Sequence, residues 1–161
     1  MRPGCFLRRA LLSDEPALAA LEAACFTHPW TPAQVHDEVA RVPPDMVLVL
    51  EGPAAPGEAP AGIRAYGSFR FVVDEMHVMN VAVDPGYRRQ GLARRLLVFA
   101  MARAARAGAR RALLELRAGN REALALYESL GFRSLGVRRA YYGEPTEDAL
   151  VLVREPCADE S

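Results

Sequence analysis

Residues Asp84 to Arg95 read DPGYRRQGLARR, and the fold turns on them. Before them lies a long β-branched run, Phe71 to Val83, broken only by Asp74, Glu75, His77 and Asn80. After them Ala93, Leu96, Leu97, Ala100, Met101 and Ala104 form one helical stripe, while Arg95, Arg103 and Arg106 point away. The stretch is therefore a strand-to-helix turn. A helix start exposes amides without intrahelical partners, and its dipole favours negative charge. Gly91 lets a ligand approach the backbone, Ala93 keeps the next position small, and Arg88, Arg89 and Arg94 add positive charge. Two readings stay open on the turn alone: an anion cradle, or a tight turn with solvated arginines. A dinucleotide fold would ask for G-x-G-x-x-G, and only one glycine lies within Arg88–Ala93.

Working outward, Gly4 to Ala10 reads as a first strand, and Ser13-Asp14-Glu15-Pro16 as the start of a helix reaching about Cys25. Thr31-Pro32 repeats that signal for a helix to about Ala40. Asp45–Glu51 and Ala61–Arg70 are strands joined by the loop Gly52 to Pro60 (GPAAPGEAP), a hairpin with a mobile tip. Beyond the Gly91 helix, which Gly108 ends, come a strand over Ala112–Leu116 and a helix from Asn120 to Leu130 with Gly131 past its end. Phe132–Tyr142 and Ala149–Val153 are the last two strands, with Gly143-Glu144-Pro145 between them. The order β-α-α-β-β-β-α-β-α-β-β predicts a single α/β domain over 1–154. Its sheet is mixed and mostly antiparallel, with about seven strands, a central parallel pair and about four flanking helices. Residues 155–161 are expected to be a disordered tail.

The composition sets limits. A chain of 161 residues, 51% hydrophobic and 25% charged, fits one soluble domain. Twenty basic and 20 acidic residues leave no net charge, which argues against direct nucleic-acid or membrane binding. The sequence has no lysine, which excludes a P-loop and a lysine Schiff base. Cys5, Cys25 and Cys157 have no metal or disulfide spacing, and Cys25 reads as a small buried residue rather than a nucleophile. His28, His36 and His77 are scattered, so no metal site is expected. There is no leader-like apolar region at the N-terminus, and a reduced, cytoplasmic protein is expected.

The segment Arg88-Arg89-Gln90-Gly91-Leu92-Ala93 matches [QR]-x-x-G-x-[GA] and so resembles the GCN5-related N-acetyltransferases (GNAT family). The likeness extends to Asn80-Val81-Ala82-Val83-Asp84-Pro85, to Leu114-Glu115-Leu116-Arg117-Ala118-Gly119-Asn120, and to Ala125-Leu126-Tyr127-Glu128-Ser129-Leu130-Gly131-Phe132. With Phe26, Pro29 and Trp30, Arg138-Arg139-Ala140-Tyr141-Tyr142 and Glu147-Asp148-Ala149, it is similar to the RimI branch, whose members acetylate the N-terminal α-amine of a ribosomal protein. The resemblance implies that acetyl-CoA is the cosubstrate. Its pyrophosphate would be held by Arg88, Arg89, Gln90, Gly91, Leu92, Ala93 and Arg94, its pantetheine arm by the backbone of Val81, Ala82 and Val83, and its arm again by Asn120. The implied partner is the N-terminus of an acceptor protein, such as a ribosomal one, met by a monomer or weak dimer. Ala140 departs from the family, which often has asparagine there, and the Gly52–Pro60 loop is longer and richer in proline.

Acyl transfer to an amine needs a neutral amine, a polarised carbonyl and a proton for the departing thiolate. Glu115, an acid inside an apolar central strand, is the candidate base; otherwise it pairs with Arg117, two residues on and on the same face. Tyr127, on the stripe Ala123, Leu124, Tyr127, Leu130, is core by position, and the resemblance makes it the candidate acid. Asn120 is a helix cap that can also touch a ligand. Asp74, Glu75, Tyr141 and Tyr142 either shape an acceptor pocket or form a solvated strand end and a β-pair. Two alternatives remain: the same chemistry on a lysine side chain or small amine, and a catalytically silent acyl-CoA binder, against which the presence of both Glu115 and Tyr127 counts.

Overall fold

The computed structural model describes residues 4–53 and 62–159; residues 54–60 of the proline-rich loop lie outside the described residues. Its elements are β1 (Phe6–Arg9), α1 (Glu15–Cys25), α2 (Pro32–Val39), β2 (Met46–Gly52), β3 (Gly62–Val72), β4 (Glu75–Val83), α3 (Leu92–Arg106), β5 (Arg111–Arg117), α4 (Arg121–Ser129), β6 (Arg133–Tyr142) and β7 (Glu147–Arg154), with 3-10 turns at Leu12–Asp14 and Pro85–Tyr87. The strand order is β1-β2-β3-β4-β5-β7-β6. One pair, β4 with β5, is parallel, as the β-α-β order requires. Among the described residues no helix is long and apolar enough to cross a membrane.

Two compact units divide the chain. The first comprises Met1–Phe69 with Met79–Ala100. Here β1 and β2 pair antiparallel from Phe6↔Glu51 to Arg9↔Leu48, and β2 pairs β3 from Met46↔Phe69 onward with an irregularity at Leu50/Glu51. Leu18 and Leu21 of α1 and Val35 and Val39 of α2 bury their apolar stripes with Val47, Val49 and Tyr66. Each such side chain removed from water contributes about 1.5–3 kcal/mol. Thr31 caps α2 as its sequence suggests: its hydroxyl accepts from Gln34 N, and the Gln34 side chain accepts from Thr31 N. Ser13 does not cap α1. Asp14 takes that position, and its carboxylate instead accepts from Leu11 N and from both terminal nitrogens of Arg8.

The second unit comprises Arg70–Val78 with Met101–Ser161. The parallel register runs from Glu75↔Arg111 to Val78↔Leu114, and β7 runs antiparallel to β5, with Glu115 opposite Val151. The strand β5 alternates cleanly. Ala112, Leu114 and Leu116 are buried, while Arg111, Leu113, Glu115 and Arg117 share a half-exposed face.

Two boundaries differ from the sequence expectation. Phe71–Val83 is not one strand: β3 continues to Val72 and the chain reverses at Val73-Asp74. Val73 adopts φ 57°, an unusual conformation for a β-branched residue, so composition gave no turn signal there. The segment expected as a loose tail carries, over residues 155–159, the buried Cys157. Its N–H donates to Arg110 O at 2.9 Å and its thiol to Met101 O at 3.6 Å, and burial pushes the thiol up to about 11.

Candidate active site

In the first unit, β4 leaves through Val81, Ala82 and Val83 into the turn. Asp84 anchors that turn from both sides: its N–H donates to Arg64 O at 2.8 Å, and its carboxylate accepts from Gly86 N at 2.9 Å. The Arg64 guanidinium lies 4.4 Å over the Tyr87 ring, and Arg88 Nε donates to Val83 O at 3.4 Å. Cys25, partly buried rather than buried as its sequence context suggests, donates its Sγ–H to the same carbonyl at 3.2 Å. Arg89 (φ 62°) and Gly91 (φ 76°) are left-handed with Gln90 between them. Such alternation curls a turn into an anion-binding concavity. A Cβ placed on Gly91 would meet nothing within 4 Å, so the approach to this backbone is open. The helix ladder of α3 begins with Arg95 N to Gly91 O at 3.0 Å. The earlier amides of Leu92, Ala93 and Arg94 are thus the helix-start donors that a diphosphate would use. Exposed Arg88, Arg89 and Arg94 supply charge beside them. Arg95 points elsewhere, to Cys5 O at 2.9 Å. An open backbone, helix-start amides and cations fit the diphosphate of a nucleotide-linked acyl donor.

The second unit holds the remaining candidates. Glu115 is 29% exposed, and it does not pair with Arg117. Its partner is Arg138, whose Nε lies 3.3 Å from Glu115 Oε1, and the Tyr141 hydroxyl also donates to it. That bond raises the Tyr141 pKa above the usual phenol value. Arg117 turns to Glu147 at 3.4 Å and lies 4.4 Å over the Tyr142 ring. Tyr141 and Tyr142 meet edge-on with centroids 5.2 Å apart, so Glu115, Arg138 and the tyrosine pair form one cluster. Asn120 caps α4, its Oδ1 accepting from Ala123 N at 3.2 Å. Tyr127 is buried, edge-on to Phe132 at 5.5 Å, and burial pushes its hydroxyl up to about 12.

Asp74 and Glu75 are not part of this cluster. Glu75 stands opposite Arg111, four residues and about 13 Å along β5 from Glu115. It pairs with Arg111 and lies 3.2 Å from His77, while Asp74 faces Arg110 at 3.9 Å. These acids tie down the start of the parallel pair. Arg138 carries no signal of this role in the sequence: it reaches Glu115 from β6 across the intervening β7, a neighbourhood that only the register of the folded sheet sets. Among the described residues no three His, Cys, Asp or Glu gather where they could hold a metal ion.

The model of the acetyltransferase (GNAT) family matches residues 15–132. The chain belongs to that family. It is 35% identical over 144 residues to the [ribosomal protein bS18]-alanine N-acetyltransferase of Escherichia coli K12, covering 87% of this chain and 90% of that protein. It is 37% identical over 145 residues to the N-alpha-acetyltransferase RimI of Mycobacterium tuberculosis, covering 89% and 87%. The crystal structure of the ribosomal-protein-S18-alanine N-acetyltransferase from E. coli superposes with TM-score 0.82 at 29% identity, over 98% of this chain and 97% of that one. Ard1 from Thermoplasma volcanium shares the fold at TM-score 0.80 and 20% identity, over 96% and 98%. The mixed sheet and its connections are those of a GNAT enzyme.

Proposed function

We propose that residues 1–154 act as one N-acetyltransferase domain that moves an acetyl group from acetyl-CoA to the α-amine of a protein N-terminus, in the cytoplasm, with a ribosomal protein as acceptor. What carries this is the near full-length likeness to two enzymes whose names state that class of reaction, each at 35% identity or above. Acetyl-CoA supplies an activated acyl carbon and a thiolate leaving group. The amides of Leu92, Ala93 and Arg94, with Arg88 and Arg89, hold its diphosphate, and the backbone of Val81–Val83 and the Asn120 side chain hold its arm. Glu115 takes the proton from the acceptor's ammonium, directly or through one water. An α-amine of ordinary pKa about 7.7–8.0 is neutral roughly one time in seven at pH 7. Tyr127 donates a hydrogen bond to the departing thiolate. Tyr141 and Tyr142 flank the acceptor terminus beside Glu115.

The test is incubation with acetyl-CoA and ribosomal proteins of the same cell, read by intact mass and N-terminal peptide mapping. One acetyl group on a single N-terminus is expected. Glu115→Gln should slow turnover by about 10²–10⁴-fold, the usual contribution of a positioned base. Acetylation of lysine side chains in N-terminally blocked peptides, in preference to free termini, would defeat the assignment.

A further inference from the structure

A regular β6 would place Arg138, Ala140 and Tyr142 on one face and Tyr141 on the other. Instead the β6–β7 register breaks between Arg138 and Tyr142. Ala140 sits in the break with φ 50°, and its N–H is held by Asp148 Oδ1 at 2.8 Å. The break is therefore built in, and it has a chemical consequence. Arg138 and Tyr141, three residues apart, both reach the Glu115 carboxylate, the first as an ion pair at 3.3 Å and the second as a hydroxyl donor. The Arg138 guanidinium also lies 5.4 Å from the centre of the Tyr141 ring. Its side chain is 58% exposed, so it can leave the carboxylate at little cost in buried surface, and the ring face offers it a second resting place.

An acceptor that gives its proton to Glu115 must bring an ammonium to the carboxylate that Arg138 covers. We propose that Arg138 determines acceptor specificity by charge exchange. With no acceptor its guanidinium caps Glu115. An arriving α-ammonium replaces it, and Arg138 is retained against Tyr141. Once the acceptor nitrogen is acetylated it carries no charge and cannot hold the carboxylate, so Arg138 returns and helps the product leave. This rests on Glu115 being the group that receives the acceptor amine.

The experiment uses the full chain saturated with CoA, so that binding is measured without turnover. Two peptides are titrated calorimetrically about one pH unit below the ordinary α-amine pKa of 7.7–8.0. One begins with alanine and a free amine; the other is the same peptide with a propionyl group in place of that alanine. Arg138→Met removes the charge and keeps most of the side-chain bulk. It should tighten the free-amine peptide roughly two- to fivefold, the range of an exposed ion pair, and leave the propionyl peptide unchanged. In a Glu115→Gln background the same substitution should change neither. Unchanged or weaker binding of the free-amine peptide would overturn the exchange, and equal tightening of both peptides would reduce Arg138 to a steric obstacle. Full turnover by Glu115→Gln would instead remove the base assignment while leaving the charge comparison readable.

Discussion

Tyr127→Phe separates two ways in which a phenol can serve a leaving thiolate. The ring is 8% exposed, and burial pushes its hydroxyl up to about 12. A simple thiol has a pKa near 8.5, so complete transfer of the phenol proton to the thiolate runs uphill by roughly three and a half units, or about 5 kcal/mol. Under the proposed mechanism Tyr127 is thus suited to hold the thiolate with a hydrogen bond as it forms, with the net proton supplied by the acceptor nitrogen. A hydrogen bond to a charged partner is worth about 1.5–3 kcal/mol, which corresponds to about 10- to 150-fold in rate. The variant should lose that much kcat, measured by thiol release, with little change in KM for acetyl-CoA. Its Tm should not fall, since the edge-on contact with Phe132 at 5.5 Å is kept. A loss beyond about 10⁴-fold would mean outright proton donation, and a loss under about threefold would mean that the hydroxyl does not meet the thiolate. Stability gives a second reading. The folded pKa of about 12 lies above the unfolded value of 10.0, so the contribution of the neutral phenol is whole below pH 10 and is lost as pH rises toward 12. Tyr127→Phe should flatten that part of an alkaline unfolding curve.

Three further outcomes test the scaffold. Glu22 is 1% exposed and accepts from Trp30 N at 3.0 Å, from the Tyr66 hydroxyl and from Asn80 Nδ2. Glu22→Gln turns a donor toward those donors and should cost about 2 kcal/mol, or roughly 4–8 °C of Tm; an unchanged melt would refute the network. Ala140→Gly relieves a left-handed φ of 50° at an exposed site and should be neutral to stabilising by about 0.5–1 kcal/mol in urea unfolding, with a clear loss counting against the strain. Hydrogen bonds from Arg8 hold the Asp14 carboxyl below its ordinary value. Its contribution is present above the unfolded pKa and lost as pH falls through the folded one, so Asp14→Asn should be less stable than the parent at neutral pH and match it in strong acid.

The sequence exposes those parts of the fold that local chemistry dictates. The Asp84–Arg95 turn needs a left-handed glycine and a small residue after it, Thr31 and Gln34 spell a capping box, and β5 alternates with period two. What it hides is set by partners distant in the chain. Val73 carries no turn preference, yet the ladder reverses there. Ala140 looks ordinary until the β6 break, which follows Arg138, lets Tyr141 join that arginine at Glu115. Glu22 falls on the apolar stripe Leu18, Leu21, Glu22, Cys25, where an acid can only be buried, and it therefore had to find donors.

The groups assigned to the two halves of the reaction have opposite environments, and the contrast bears on the acceptor. Tyr127, assigned to the thiolate, is buried among apolar neighbours, whereas Glu115, Arg138 and Tyr141 face water. An enzyme acting on a free small amine has to exclude water with its own chain. A protein terminus brings a surface of its own to cover Glu115. The proton to be removed also differs between acceptors: deprotonation at pH 7 costs roughly 1 kcal/mol for an α-amine and about 4.6 kcal/mol for a lysine side chain. A water-facing carboxylate that must first exchange one cation for another is matched to the cheaper of these tasks, and that favours a protein N-terminus over a lysine side chain as the acceptor.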